Sequence, residues 1–169
     1  IAYEPTGTVD ADGRAPVIRA RSHLPVGFRQ RHFSADEHGR AVGETDLQRL
    51  LAGLAPEPSV HPCAIRTQSA DAAVPADAIM LFREAEGMTV IVPVARNDTD
   101  EALWAQITLR IHSSLEAVGM MAAIAAALTA RDIPCNAVSA YYHDHIFVPW
   151  ARRKDAVEAL RELAEGVPA

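Results

Sequence analysis

Aromatic residues make up only 5% of this 169-residue sequence. A core must therefore be assembled from Ala, Val, Leu, Ile and Met, within an apolar content of 49%. Cysteine is scarcer still: Cys63 and Cys135 stand alone, too few for a disulfide framework and too far apart for a zinc knuckle. Basic charge is in deficit, with 16 Lys plus Arg against 22 Asp plus Glu and a net charge of -6. That balance does not suit a protein whose main task is neutralising phosphates, so no nucleic-acid partner is expected. No apolar run approaches the about 18 residues that would span a bilayer, and the apolar stretch of a secretory signal is missing. No membrane association is expected, and the reading is cytoplasmic. The nine glycines are scattered, so none forms a phosphate-cradling loop. The sequence does not begin with Met.

What is present divides near residue 42. Residues 1–42 carry six arginines against five acids and recurrent Gly and Pro, with no lasting apolar period. The remainder carries ten basic and seventeen acidic residues. Residues 1–42 read as a flexible leader that need not belong to the native protein, with the functional unit beginning near Val42 from a GTG codon. Beyond it, Leu47, Leu50, Leu51 and Leu54 recur at helical spacing behind a capping hydroxyl and ahead of Gly53 and Pro56. Residues 60–67 alternate weakly and read as a strand, demoted towards a sheet edge by Pro62. Residues 78–83 and 88–94 read as a hairpin turning at Gly87, and residues 97–103 as a brief acidic turn.

The second half is more regular. Residues 105–112 alternate, with Ile107, Leu109 and Ile111 on one face. Ser113 and Ser114 offer N-cap hydroxyls to a helix over 115–131, its stripe formed by Leu115, Val118, Met121, Ala122, Ala125 and Leu128. Residues 136–141 and 145–149 read as a second hairpin turning at Tyr142, His143 and Asp144. A helix over 154–165 follows, with Val157, Leu160 and Ala164 inward. The order βαββα, preceded by a rougher αβββ, predicts an α+β protein. It would be a tandem ferredoxin-like sandwich with antiparallel sheets and helices on one face.

Residues 107–128 (I-T-L-R-I-H-S-S-L-E-A-V-G-M-M-A-A-I-A-A-A-L) and 133–149 (I-P-C-N-A-V-S-A-Y-Y-H-D-H-I-F-V-P) resemble the opening and middle of an ACT domain. With G-E-T-D-L-Q-R-L-L-A-G-L-A-P (43–56) and F-R-E-A-E-G-M-T-V-I-V-P (82–93), the whole of 43–169 resembles one bacterial family. Its members are small uncharacterised proteins built from two ACT-like halves. The halves would be an N-terminal one at 43–104 and a C-terminal ACT domain at 105–169; the link at 94–104 is short and acidic for that pattern. Related domains bind amino acids at the loop after the first strand, with help from the start of the second. The resemblance thus implies ligand binding by Ser113, Ser114, Glu116, Val118, Gly119, Asn136 and Ala137, with Glu116 or an acidic neighbour receiving an ammonium. Without it, the two serines read as a plain helix cap and Gly119 as a packing residue; with it, the two readings stand level.

Other candidates divide in the same way. His143 and His145 share a strand face that His112 could approach, enough imidazole for zinc or iron. Yet no metal-ligand spacing motif supports them, and a polar hairpin tip explains them as well. Cys135 reads as a nucleophile only if a histidine lies beside it, and otherwise as a core thiol. The expectation is a regulatory protein without catalytic activity or cofactor, binding a small molecule that the resemblance points to as an amino acid, in a homodimer. The alternatives are a metal-dependent enzyme using His112, His143 and His145, and a purely structural dimerisation module.

Overall fold

The computed structural model describes residues 42–95 and 101–167. The leader expected over 1–42, Val42 apart, and residues 97–100 of the expected acidic turn lie outside them.

The first helix, α1 (Leu47–Ala52), places Leu50 fully inside the core. Its cap is the Asp46 carboxylate, which accepts from the Arg49 amide at 2.9 Å, and not the Thr45 hydroxyl that the sequence suggested. Strands β1 (Pro56–Pro58), β2 (Cys63–Gln68), β3 (Met80–Arg83) and β4 (Met88–Pro93) follow. Then come β5 (Trp104–Leu109), α2 (Met120–Thr129), β6 (Asn136–Ser139), β7 (Asp144–Pro149), a 3-10 turn and α3 (Arg153–Glu165).

All strands join one antiparallel sheet in the order β3-β4-β2-β5-β7-β6, and β1 lies along β5. The edge of β5 is shared: Trp104 pairs with Cys63 of β2, while Ile107 to Leu109 pair with β1. β2 is therefore interior, not at the edge that Pro62 implied. Pro62 sits just outside the ladder, where its missing N–H removes no strand bond and its carbonyl accepts from the Val94 amide. β1, with two prolines in three residues, carries no strand signature in the sequence and forms because β5 offers it an edge.

β5 alternates as expected, with Ala105, Ile107 and Leu109 wholly buried. They meet Ile146 and Val148 of β7, Leu50 and Leu54, Ile124 and Leu128 of α2, and Ala156, Ala159 and Leu160 of α3 in the main core. Side chains alternate across a sheet, so Phe147 points the other way. There it is buried with Cys63 and Ile91, and Met80, Trp104 and Val138 pack against them. The face away from the helices thus carries an apolar cluster drawn from β2, β3, β4, β5, β6 and β7.

α2 starts five residues later than expected. Gly119 takes a left-handed conformation (φ 96°) that ends the preceding loop and opens the helix. The buried stripe becomes Met120, Ile124 and Leu128, whereas Leu115 and Val118, placed inward by the sequence, are 69% and 81% exposed in the loop. The turn between β6 and β7 spans residues 140–143, closed by the Ala140 amide on the His143 carbonyl. Asp144 consequently belongs to β7 and not to the bend.

Candidate ligand-binding site

The loop at 113–119 leaves the C-terminal end of β5, and the β6–β7 turn lies at the same end of the sheet, because β6 runs parallel to β5 on the far side of β7. Ile146 and Val148 face the helices, and the two-residue period carries Asp144 to the same side. Asp144 is only 6% exposed. The hydroxyl of Ser113 donates to Oδ2 at 2.6 Å and that of Ser139 to Oδ1 at 2.5 Å. A carboxylate has about four acceptor positions, so two serines leave room for a further donor.

A cleft of about 130 Å³ opens beside this group, lined by Ser113, Ser114, Gly119, Ser139, Asp144 and the first turn of α2. Gly119 supplies no side chain to cap α2. The first amides of a helix have no intrahelical acceptor and carry the positive end of its dipole. The cleft thus sets a buried carboxylate against a helix N-terminus, a polarity that matches the ammonium and carboxylate of a zwitterion.

The structure brings together Ser113, Ser114 and Gly119 from the residues that the resemblance implied. Ser113 and Ser114 do not cap α2. Ser113 serves Asp144, and the Ser114 hydroxyl accepts from the Glu116 amide at 3.2 Å. Glu116 and Val118 are exposed, and Asn136 and Ala137 are exposed near the opposite end of β6. The acid in the cleft is Asp144, not Glu116. Sequence reasoning missed Asp144 and Ser139. The signal was available: counting back by twos from Val148 and Ile146 points Asp144 inward.

The histidines lie elsewhere. His145 is on the other face, where the Gln106 amide N–H donates to Nδ1 at 3.0 Å and Thr108 Oγ1 lies 3.1 Å away. Burial chiefly holds the His145 pKa below its ordinary value, with Arg110 adding to the effect and Asp144 opposing it. His143 is lowered likewise by burial, then by the charges of Arg110, His145 and His112. His112 packs against Tyr142, ring centroids 5.6 Å apart. Among the described residues no three His, Cys, Asp or Glu side chains gather so as to hold a metal, so these histidines do not form the centre that the alternative required. Burial pushes the Cys63 thiol up to about 11 and raises that of Cys135. Arg152 bonds the carbonyls of Arg131 and Asp132 after α2, and Arg153 lies over the Trp150 ring at 4.1 Å. Both brace the fold. Among the described residues no helix is long and apolar enough to cross a membrane.

Comparison with known proteins agrees with this architecture. Residues 42–103 match one ACT domain model and residues 104–162 another. A solved Vibrio cholerae protein, described as of unknown function and a possible transport protein, shares 35% identity with a TM-score of 0.59. That match covers 70% of this chain and 95% of the other. An Agrobacterium tumefaciens protein shares the fold at 18% identity and a TM-score of 0.51, over 62% of this chain and 84% of its own. No curated protein matches. The chain belongs to the ACT-domain family, whose domains are generally small-molecule-binding regulatory modules, and carries two such domains in tandem.

Proposed function

We propose that the protein is an amino-acid sensor that acts by binding and not by catalysis, built from halves at 43–104 and 105–169. The ligand's ammonium sits on Asp144 and its carboxylate at the N-terminus of α2, with Ser113, Ser114 and Gly119 shaping the loop around it. The observation that carries this reading is the buried Asp144 carboxylate, held by two serine hydroxyls in a cleft that a helix N-terminus closes. The exposed Leu115, Val118, Tyr141 and Tyr142 stand on the two loops that flank the cleft. They support a homodimer in which a second copy covers the mouth. A ligand shared between copies favours one arrangement of the sheets over another, and that difference in affinity is the signal.

A thermal-shift screen of the twenty amino acids tests the reading. A ligand at about 100 times its dissociation constant adds about 2.7 kcal/mol to stability, enough to raise the melting midpoint by several degrees. Sedimentation with and without that ligand reads the dimer. If no amino acid moves the midpoint, the sensor reading is wrong.

A further inference from the structure

Two contacts grip the ligand loop, one at each end, and both come from residues 43–47, near the start of the first ACT domain. At the start of the loop, the Glu44 amide donates to the His112 carbonyl at 2.8 Å and the Ser114 amide donates to the Glu44 carbonyl at 2.9 Å. Together they make a parallel bridge between Glu44 and Ser113. The approach is so close that a Cβ on Gly43 would lie 2.3 Å from Ser114 N and 2.6 Å from the Ser113 carbonyl oxygen. Only glycine fits there without displacing backbone. At the far end, a Cβ on Gly119 would lie 3.1 Å from Leu47 Cδ2, so the side chain of α1 lies against the residue whose left-handed turn launches α2. The segment between is itself fixed: the Glu44 carboxylate accepts from the amides of Thr45 and Asp46 at 2.9 and 3.0 Å.

We propose that residues 43–47 are a strap that positions the ligand loop: Gly43 and Glu44 set the main chain of Ser113, and with it the hydroxyl that orients Asp144, while Leu47 sets Gly119. The proposal rests on the reading of the Ser113–Asp144 cleft as the ligand site. None of these strap residues lines the cleft, so they act through Ser113 and Gly119. The geometry makes docking of the strap and occupancy of the cleft linked events. A ligand that holds Ser113 and the start of α2 in place stabilises the strap, and loosening the strap weakens the ligand by the same factor.

The test is amide hydrogen exchange on the full chain, with and without an equimolar mixture of the twenty amino acids. In Gly43→Ala the amides of 113–119 are expected to exchange about tenfold faster without the mixture, the loss expected for two backbone hydrogen bonds. Those of Ile124 to Leu128 and of β4 should be unchanged. In the wild type the mixture slows exchange at Glu44 as well as at Ser114, and in Asp144→Asn it slows neither. If Gly43→Ala does not fold, Leu47→Ala, which trims a part-exposed side chain, is read the same way at 117–120. Faster exchange at Glu44 with an unchanged loop overturns the strap, as does a mixture that protects Ser114 but not Glu44. A loosened loop with no protection by the mixture anywhere supports the strap and instead refutes the amino-acid reading of the cleft.

Discussion

Replacing Asp144 by Asn separates ligand recognition from folding, because the two side chains have the same shape and differ in charge. In the wild type both carboxylate oxygens accept hydroxyls, from Ser139 at 2.5 Å and Ser113 at 2.6 Å. Asn retains one acceptor oxygen, and its amide N–H donates to the other serine once that hydroxyl rotates. The free protein is therefore expected to change in stability by no more than about 1 kcal/mol. A bound ammonium, by contrast, loses a charged partner inside a mostly buried cleft, at a cost of about 2–3 kcal/mol. At 1.4 kcal/mol per decade that weakens binding by roughly 30- to 150-fold. With ligand at about 100 times the wild-type dissociation constant, the wild type gains about 2.7 kcal/mol, and a variant weakened 100-fold gains about 0.4 kcal/mol. A fold of this size moves by roughly 3–5 °C per kcal/mol, so the ligand-induced shift drops from roughly 10 °C to about 2 °C or less. The assay is thermal unfolding of both proteins, titrated with the amino acid that moves the wild type most. A ligand shift that survives in Asp144→Asn refutes the assignment of the ammonium to this carboxylate. A free variant that melts more than about 10 °C lower shows instead that the charge serves the fold.

Two further outcomes follow from burial. His143 and His145 titrate below the ordinary histidine value in the folded protein, so the unfolded chain binds more protons in the interval between. The stability they confer is present above about pH 6.5 and is lost as the pH falls from there through the lowered folded values. Urea unfolding across this range should show a slope that His143→Gln with His145→Gln flattens; an unchanged slope places the titration elsewhere. The two faces of the sheet are compared by Ile124→Ala, in the helix-covered core, and Phe147→Ala, on the opposite face. Each is expected to cost about 3–4 kcal/mol in equilibrium unfolding. A loss under about 1 kcal/mol for Phe147→Ala would mean that its face is solvated.

Periodicity settled the elements whose signals are local. The alternation of residues 105–109, the Gly87 hairpin and the amphipathic stripe of α3 need only the side-chain spacing of a strand or helix, and they appear where the sequence places them. Three features were beyond it. β1 exists because the free edge of β5 recruits a proline-rich segment. β2 is interior because the ladder begins one residue after Pro62. α2 begins at Met120 because the left-handed Gly119 displaces two apolar residues, Leu115 and Val118, that fit the helical stripe equally well on paper.

The cleft divides along the same line. Helical spacing alone set Gly119 inside a helix over 115–131; the resemblance put it on one loop with Ser113 and Ser114. Neither put Asp144 or Ser139 beside them, or Gly43 and Glu44 against the main chain of Ser113. Those meetings join residues tens of positions apart, and only the pairing register of β5, β6 and β7 and the docking of the N-terminal strap decide them. The sequence by itself determined which residues could supply charge, hydroxyl and turn. Tertiary structure decided that Asp144, readable as a solvated bend, is instead a buried carboxylate facing a helix N-terminus, because a strand that starts one residue earlier carries its side chain to the covered face.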